Sequence, residues 1–177
     1  MLRRGHDLGK HRMRNLPRLL MGVLCMWLWL GFPAPSMTQD YAPPLSFSNA
    51  ELRGRDFRGW EIRAAEFSNA NLSAADFTGA DARGAIFSAS VARETNFHGV
   101  DFSTGMLDST DFTRADFSDA VLVDTIMLRS TFEGADITGA DFSGAMLDGV
   151  QVKHLCAIAT GTNSQTGVAT RDSLGCR

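Results

Sequence analysis

Cys156 and Cys176, near the end of a 177-residue chain, carry the most reactive side chains outside its first forty residues. Three chemistries are open to them. In an oxidising compartment they would close a disulfide, the leading reading, which would stabilise the segment Leu155–Arg177 by about 3 kcal/mol in the chain-entropy model. Otherwise they would be two buried free thiols. Metal binding ranks last, because with His154 they offer three donors where a closed tetrahedral site needs four. His6 and His11 lie in a basic N-terminal stretch, and His98 stands alone. No nucleophile–base pair, phosphate loop or metal-ligand cluster stands out, so an enzyme is not the expected class and no cofactor is implied.

The frame that must position these side chains is written in Ala135–Gly149, ADITG-ADFSG-AMLDG, three five-residue units in one register. With the large apolar residue called i, a unit has a small residue at i−2 and usually Asp, Glu or Asn at i−1. Leu or Phe sits at i, with polar residues or Gly at i+1 and i+2. A period of five fits neither a long amphipathic helix nor a simple alternating strand, and self-similarity over many units marks a repeat architecture. Positions i−2 and i share one face of a short extended segment, and i+1 and i+2 suit a corner. The register runs without insertion from Phe47 to Val152.

Units such as ADFTG (Ala75–Gly79), ADFSD (Ala115–Asp119), ADITG and ADFSG resemble the A(D/N)LxX pattern of the pentapeptide-repeat family. The resemblance covers roughly Leu45–His154. It implies an all-β fold, a right-handed quadrilateral β-helix with four units per coil, i−2 and i inside, and i−1, i+1 and i+2 outside. At four units per coil the register makes about five and a half coils, roughly 26 Å of solenoid at the ~4.8 Å strand spacing. Leu45, Arg55 and Trp60 are too large for the i−2 positions they hold, so the first coil is expected to be wide or frayed, with these residues as a cap. Phe57, Phe77, Phe97 and Phe117 form one interior column, an aromatic core stack. Ala82 and Ala92 interrupt two other columns near one level, where the core is expected to be under-filled.

Ahead of the repeat, residues 1–39 read as a signal peptide or N-terminal membrane anchor with a short linker. A basic region to Arg18 precedes the apolar run Leu19–Phe32, then Pro33 and a small polar stretch. That run is short of the ~20 residues of a membrane span. No clean A-x-A site is present, so an uncleaved anchor helix stays open. Cys25 follows Leu24, where the resembling lipobox motif wants a small residue. The expected organisation is thus 1–39 for export, 40–154 for the β-helix and 155–177 for a C-terminal tail or cap. Residues 41–177 hold 11 basic and 18 acidic groups, a net charge of −7.

Coils of twenty residues would stack two outward ladders. Asp56, Asp76, Asn96, Asp116 and Asp136 make an acidic one, which either binds a cation or basic partner or accepts bonds from nearby turns. The turn role is the stronger expectation. On the opposite face Ile86, Met106, Ile126 and Met146 stand where the pattern wants Asp or Asn, an apolar interaction stripe. Covering it would be worth roughly 6–12 kcal/mol before entropic costs. The tail folding back, a homodimer, and a partner protein or lipid surface are the three candidate covers.

Two functional classes follow. The first is a non-catalytic protein-interaction or scaffold module of the cell envelope, periplasmic or secreted, touching membrane only through an uncleaved N-terminus. The alternative is an acidic DNA-mimic solenoid that binds DNA gyrase or another DNA-binding protein, without binding nucleic acid itself. Export counts against the second.

Overall fold

The structure, a computed structural model, describes residues 44–177. The expected export segment 1–39 lies outside them. Within the described residues the chain winds as a solenoid whose walls are held by parallel bridges between residues twenty apart, from Ser46↔Glu66 to Ile126↔Met146. Every residue in these parallel bridges is an i−1 position. One coil is therefore four units, and the coil has four sides, numbered here by their i−1 ladders. Side one begins at Ser46, side two at Glu51, side three at Asp56 and side four at Glu61.

The five-residue period follows from how backbone groups are shared between wall and corner. In a typical unit, Phe77 N–H donates to Asn96 O at 2.8 Å and Gly79 N–H to His98 O at 2.9 Å, while Asn96 N–H returns a bond to Ala75 O at 2.9 Å. The corner closes on itself through Ala80 N–H to Phe77 O, 2.9 Å. Only the third residue of each corner has positive φ, the arrangement of a type II turn. Glycine takes that position at Gly79 (φ 64°), but Glu94, Thr104 and Arg114 hold it at 57–60°. Non-glycine residues are uncommon there, and a β-branched one more so, so the hydrogen-bonded lattice overrides local preference.

Inside, the third-column rings stack at 4.6 Å (Phe57–Phe77), 5.3 Å (Phe77–Phe97) and 5.0 Å (Phe97–Phe117). The first column stacks alongside, with Phe67–Phe87 at 4.6 Å. The two columns meet edge-on, as at Phe67–Phe77, 5.6 Å and 82°. This mixture of offset stacks and T-shaped pairs suits the ring quadrupole. Near the level where Ala82 and Ala92 interrupt their columns, Phe87 meets Phe97 and Phe102 edge-on at 6.0 and 5.2 Å.

Ser90, the small inward residue beside Ala92, is 2 % exposed, and its hydroxyl has no partner among the described residues. An unsatisfied buried hydroxyl is costly, and alanine is the commonest residue at equivalent positions. Ser90→Ala is expected to stabilise the fold by about 1 kcal/mol in chemical denaturation. A loss of stability would show that the hydroxyl is satisfied in solution.

The two ends differ. At the first coil Leu45 and Trp60 are 48 % and 46 % exposed, and Trp60 lies edge-on against Phe57 at 5.2 Å. At the other end the sequence register continues to Val152, but the last parallel bridge is at Met146, and Gly149–Ile158 forms helix α1. The coil thus stops before the expected boundary at 154. Asp148 explains the change: its carboxylate accepts from Val150 and Gln151 N–H at 3.0 and 2.9 Å, while Gln151 Oε1 accepts from Asp148 N–H at 2.6 Å. This capping box satisfies orphan donors that a twenty-second unit would have left to the lattice. A second helix, α2, spans Thr170–Ser173.

Candidate functional site

The apolar ladder on side one is built by the coil itself. Bridges Ile86↔Met106, Met106↔Ile126 and Ile126↔Met146 stack the four residues in succession. Met106 and Met146 are 39 % and 53 % exposed, while Ile86 and Ile126 are half-buried. The half-burial lowers the gain from covering them below the sequence-based figure. Val123 and Leu128, at the corners on either side of Ile126, are also half-exposed. They widen the stripe into a patch centred on Ile126. Sequence reasoning missed both because it followed the i−1 column alone; apolar residues at i+1 were the available signal. The rim is polar, with Asp108 paired to Arg129 at 3.1 Å. A small apolar centre with a polar rim is the usual anatomy of a protein contact.

The C-terminal tail lies elsewhere. Thr160 O accepts from Gly139 N–H at 2.8 Å, and Asn163 Nδ2 donates to Asp119 O and Ala120 O at 3.1 and 3.2 Å. Gln165 Nε2 reaches Gly99 O at 3.3 Å, and Ser173 Oγ accepts from Phe142 N–H at 3.0 Å. Those partners sit on sides three and four and on the corner between them. Beneath the tail Val121 and Asp141 are 6 % and 1 % exposed. Of the three candidate covers for the stripe, folding back of the tail is therefore removed. Cys156 and Cys176 are brought together at disulfide distance, with Cα atoms 5.6 Å apart, closing the tail from the end of α1 to the end of the chain. Arg171 braces the same loop by donating to Cys156 O at 2.9 Å.

The acidic ladder on side three is occupied with the fold. Asp76 Oδ1 accepts from Thr78 N–H at 2.9 Å, Asn96 Oδ1 from His98 N–H at 2.9 Å, Asp116 Oδ1 from Ser118 N–H at 2.8 Å and Asp136 Oδ1 from Thr138 N–H at 2.9 Å. Asp56 binds Arg58 through both carboxylate oxygens, and the Arg58 side chain holds its carboxyl down to about 2. Each member thus tethers the corner that follows it, the local bond that Asp and Asn favour beside turns. The same device recurs on the other sides. Burial would raise the Asp111 carboxyl, but bonds from Thr113, Arg93 and Thr131 bring it down to about 2. Burial likewise acts to raise Asp141, and hydrogen bonds from Ser143 and Thr166 hold it below the ordinary carboxylate range. Asp56, Asp111 and Asp141 are held as anions by neighbours within the chain. His98 is exposed and faces Ser118 at 2.8 Å, and His154 is exposed on α1. No group of three or more His, Cys, Asp and Glu residues fit to hold a metal occurs among the described residues.

A family model described as Pentapeptide repeats matches in eight copies, over residues 46–81, 65–104 and 115–151. The structure is similar to the crystal structure of a pentapeptide repeat protein from the thylakoid lumen of Arabidopsis thaliana, with a TM-score of 0.73 and 32% sequence identity, over 74% of this chain and 91% of that one. Over 43 residues, 24% of this chain, the sequence is 63% identical to the thylakoid lumenal protein TL20.3 of Arabidopsis thaliana. Over 44 residues, 25% of this chain, it is 50% identical to the thylakoid lumenal 15 kDa protein 1 of the same plant. Those matches span 15% and 20% of the two relatives' own lengths.

Proposed function

This chain belongs to the pentapeptide-repeat family, and on that premise we propose that it is an exported, non-catalytic protein-interaction rod that engages a protein partner or a second copy of itself through side one. The reading includes a right-handed quadrilateral solenoid, an export segment at 1–39, and a Cys156–Cys176 disulfide formed in an oxidising periplasmic, secreted or lumenal compartment. The observation that carries it is the apolar patch around Ile126, which the tail leaves open while it docks on the other side of the coil. Monomers seldom leave a contiguous apolar patch uncovered unless something binds there. Location in the thylakoid lumen, stated for the similar proteins, supports export as the setting.

The DNA-mimic alternative gains less from the geometry. A mimic needs carboxylates presented to a basic partner, and the side-three ladder is instead bonded to its own corners.

The double variant Met106→Asp, Ile126→Asp tests the proposal. Both side chains project from the wall rather than into the core, so the fold is expected to survive, with the parent's circular dichroism. Self-association, read by sedimentation, or recovery of an envelope partner by crosslinking is expected to be lost. Unchanged oligomeric state and unchanged partner recovery would make side one irrelevant to function.

A further inference from the structure

We propose that the C-terminal edge of side two is a docking site for an extended peptide strand, one carrying a basic residue opposite Glu133. The argument starts from a bond pattern repeated four times below that edge. Leu52 and Gly54 N–H donate to Asn71 O and Ser73 O at 2.8 and 2.9 Å, and Leu72 and Ala74 N–H to Val91 O and Arg93 O at 2.7 and 2.8 Å. Ala92 and Glu94 N–H then donate to Asp111 O and Thr113 O at 2.8 and 3.0 Å, and Phe112 and Arg114 N–H to Thr131 O and Glu133 O at 3.0 and 2.8 Å. The next pair, Phe132 N–H and Gly134 N–H, has no partner among the described residues.

The reason is α1. A continuing coil would have placed residues 151 and 153 above this edge, but the capping box at Asp148 turns them into helix. Gln151 repairs part of the loss. Its Nε2 donates to Met127 O and Ser130 O at 2.8 Å each, standing in for the N–H that a further coil would have supplied. No carbonyl is offered in return. On side three Gly139 N–H donates to Thr160 O, and on side four Phe142 N–H donates to Ser173 Oγ. Side two keeps two donors, spaced as carbonyls of alternate residues in a strand would meet them.

Above the edge lies a groove of about 290 Å³ bordered by Thr131, Phe132, Glu133, Val150 and His154. That is at the low end for small-molecule pockets and suits a short length of main chain. Val150 is 80 % exposed beside it, an apolar wall with nothing packed on it. Glu133 is exposed and makes no ion pair among the described residues, unlike Glu94 two coils below, which is paired with Arg114. Two donors that call for backbone carbonyls, an apolar wall and a free carboxylate together describe strand addition by a basic segment. The site is separate from the side-one patch, and neither reading depends on the other.

The test is amide-resolved NMR of the isotope-labelled chain, titrated to millimolar concentration with the blocked peptide acetyl-Thr-Val-Lys-Val-Thr-amide. The Phe132 and Gly134 amides should exchange rapidly with solvent in the free protein, then move downfield and exchange slowly with peptide. Glu133→Gln should weaken binding about threefold, the scale of one exposed ion pair. Val150→Trp, which fills the groove from an exposed position, should abolish it, and Met106→Asp, Ile126→Asp should leave it intact. Protection of the two amides in the free protein would overturn the proposal, because the edge would already be covered. Equal shifts with acetate would overturn it in favour of a simple anion site. Peptide shifts unaltered by Val150→Trp would place binding elsewhere.

Discussion

Phe97→Ala should lower the unfolding free energy by about 3–5 kcal/mol, the largest effect of any single substitution in the coil. Phe97 is the ring on which the two aromatic columns and the two interrupted ones converge. It stacks on Phe77 at 5.3 Å and on Phe117 at 5.0 Å, and meets Phe87, Phe102 and Phe112 edge-on at 6.0, 5.2 and 5.9 Å. Truncation removes its buried area and also its ring–ring terms, each about 0.5–1.5 kcal/mol beyond area. Collapse around the hole is resisted because the backbone of each wall is bonded to the coils above and below, so most of the cavity cost is retained. The loss would be a large share of the roughly 5–15 kcal/mol that holds an ordinary domain together. Urea denaturation followed by circular dichroism reads it directly, with Phe97→Leu as the control that keeps an apolar side chain and should recover more than half of the loss. A loss of less than about 1 kcal/mol for the alanine variant would show that the inter-coil hydrogen bonds, not the aromatic columns, set stability.

A solenoid also predicts where that loss appears. Each coil touches only its neighbours, so damage at the level of Phe97 is felt first by the coils of Phe77 and Phe117. Hydrogen exchange should therefore quicken at Asn96, Phe97 and Asp116 amides before it does at Phe57 or Phe142.

How far the sequence discloses this molecule depends on which force decides each part. The coil was legible because one rule, a large apolar residue at every fifth position with Ala82 and Ala92 as exceptions, is imposed by the same interior and the same corner throughout. Even the side-one stripe could be read, since Ile86, Met106, Ile126 and Met146 replace the Asp or Asn expected at i−1 in four successive coils. The end of the coil was not legible. Val150 and Val152 satisfy the i−2 and i pattern and so extend the sequence register, while Asp148 and Gln151 carry a capping box that competes for the same residues. Local capping prevailed because no further coil follows to supply the carbonyls that the lattice would need. The path of the tail was hidden for a different reason: Asn163 and Gln165 dock by side-chain bonds to carbonyls of residues 43 to 66 positions earlier, which leave no periodic trace. Val123 and Leu128 are readable by the same kind of departure, as apolar residues at i+1 corners where the pattern is polar.

Cys176→Ser should free the tail without unfolding the coil. The proposed Cys156–Cys176 bond would join residues 20 apart, and closing a loop of that length is worth about 3 kcal/mol in the chain-entropy model. That constraint acts on the segment from α1 to the chain end, whose own apolar anchors are few: Leu155, Ala159 and Leu174 are the hydrophobic residues of this segment buried against the core. Without the bond, the side-chain contacts of Asn163, Gln165 and Ser173 must hold the tail alone, each worth about 0.5–1.5 kcal/mol net. Opening of the tail should rise by roughly a hundredfold, while the urea midpoint of the coil changes little. Limited proteolysis after Arg171 separates the two outcomes, because that peptide bond is held against α1 in the parent and released in the variant. The same reading distinguishes location: parent protein recovered from an oxidising compartment should resist cleavage until a dithiol reductant is added, whereas protein with free thiols should be cleaved at once. If Cys176→Ser is as resistant as the parent, the hydrogen bonds on sides three and four are sufficient and the cysteine pair is not what holds the cap in place.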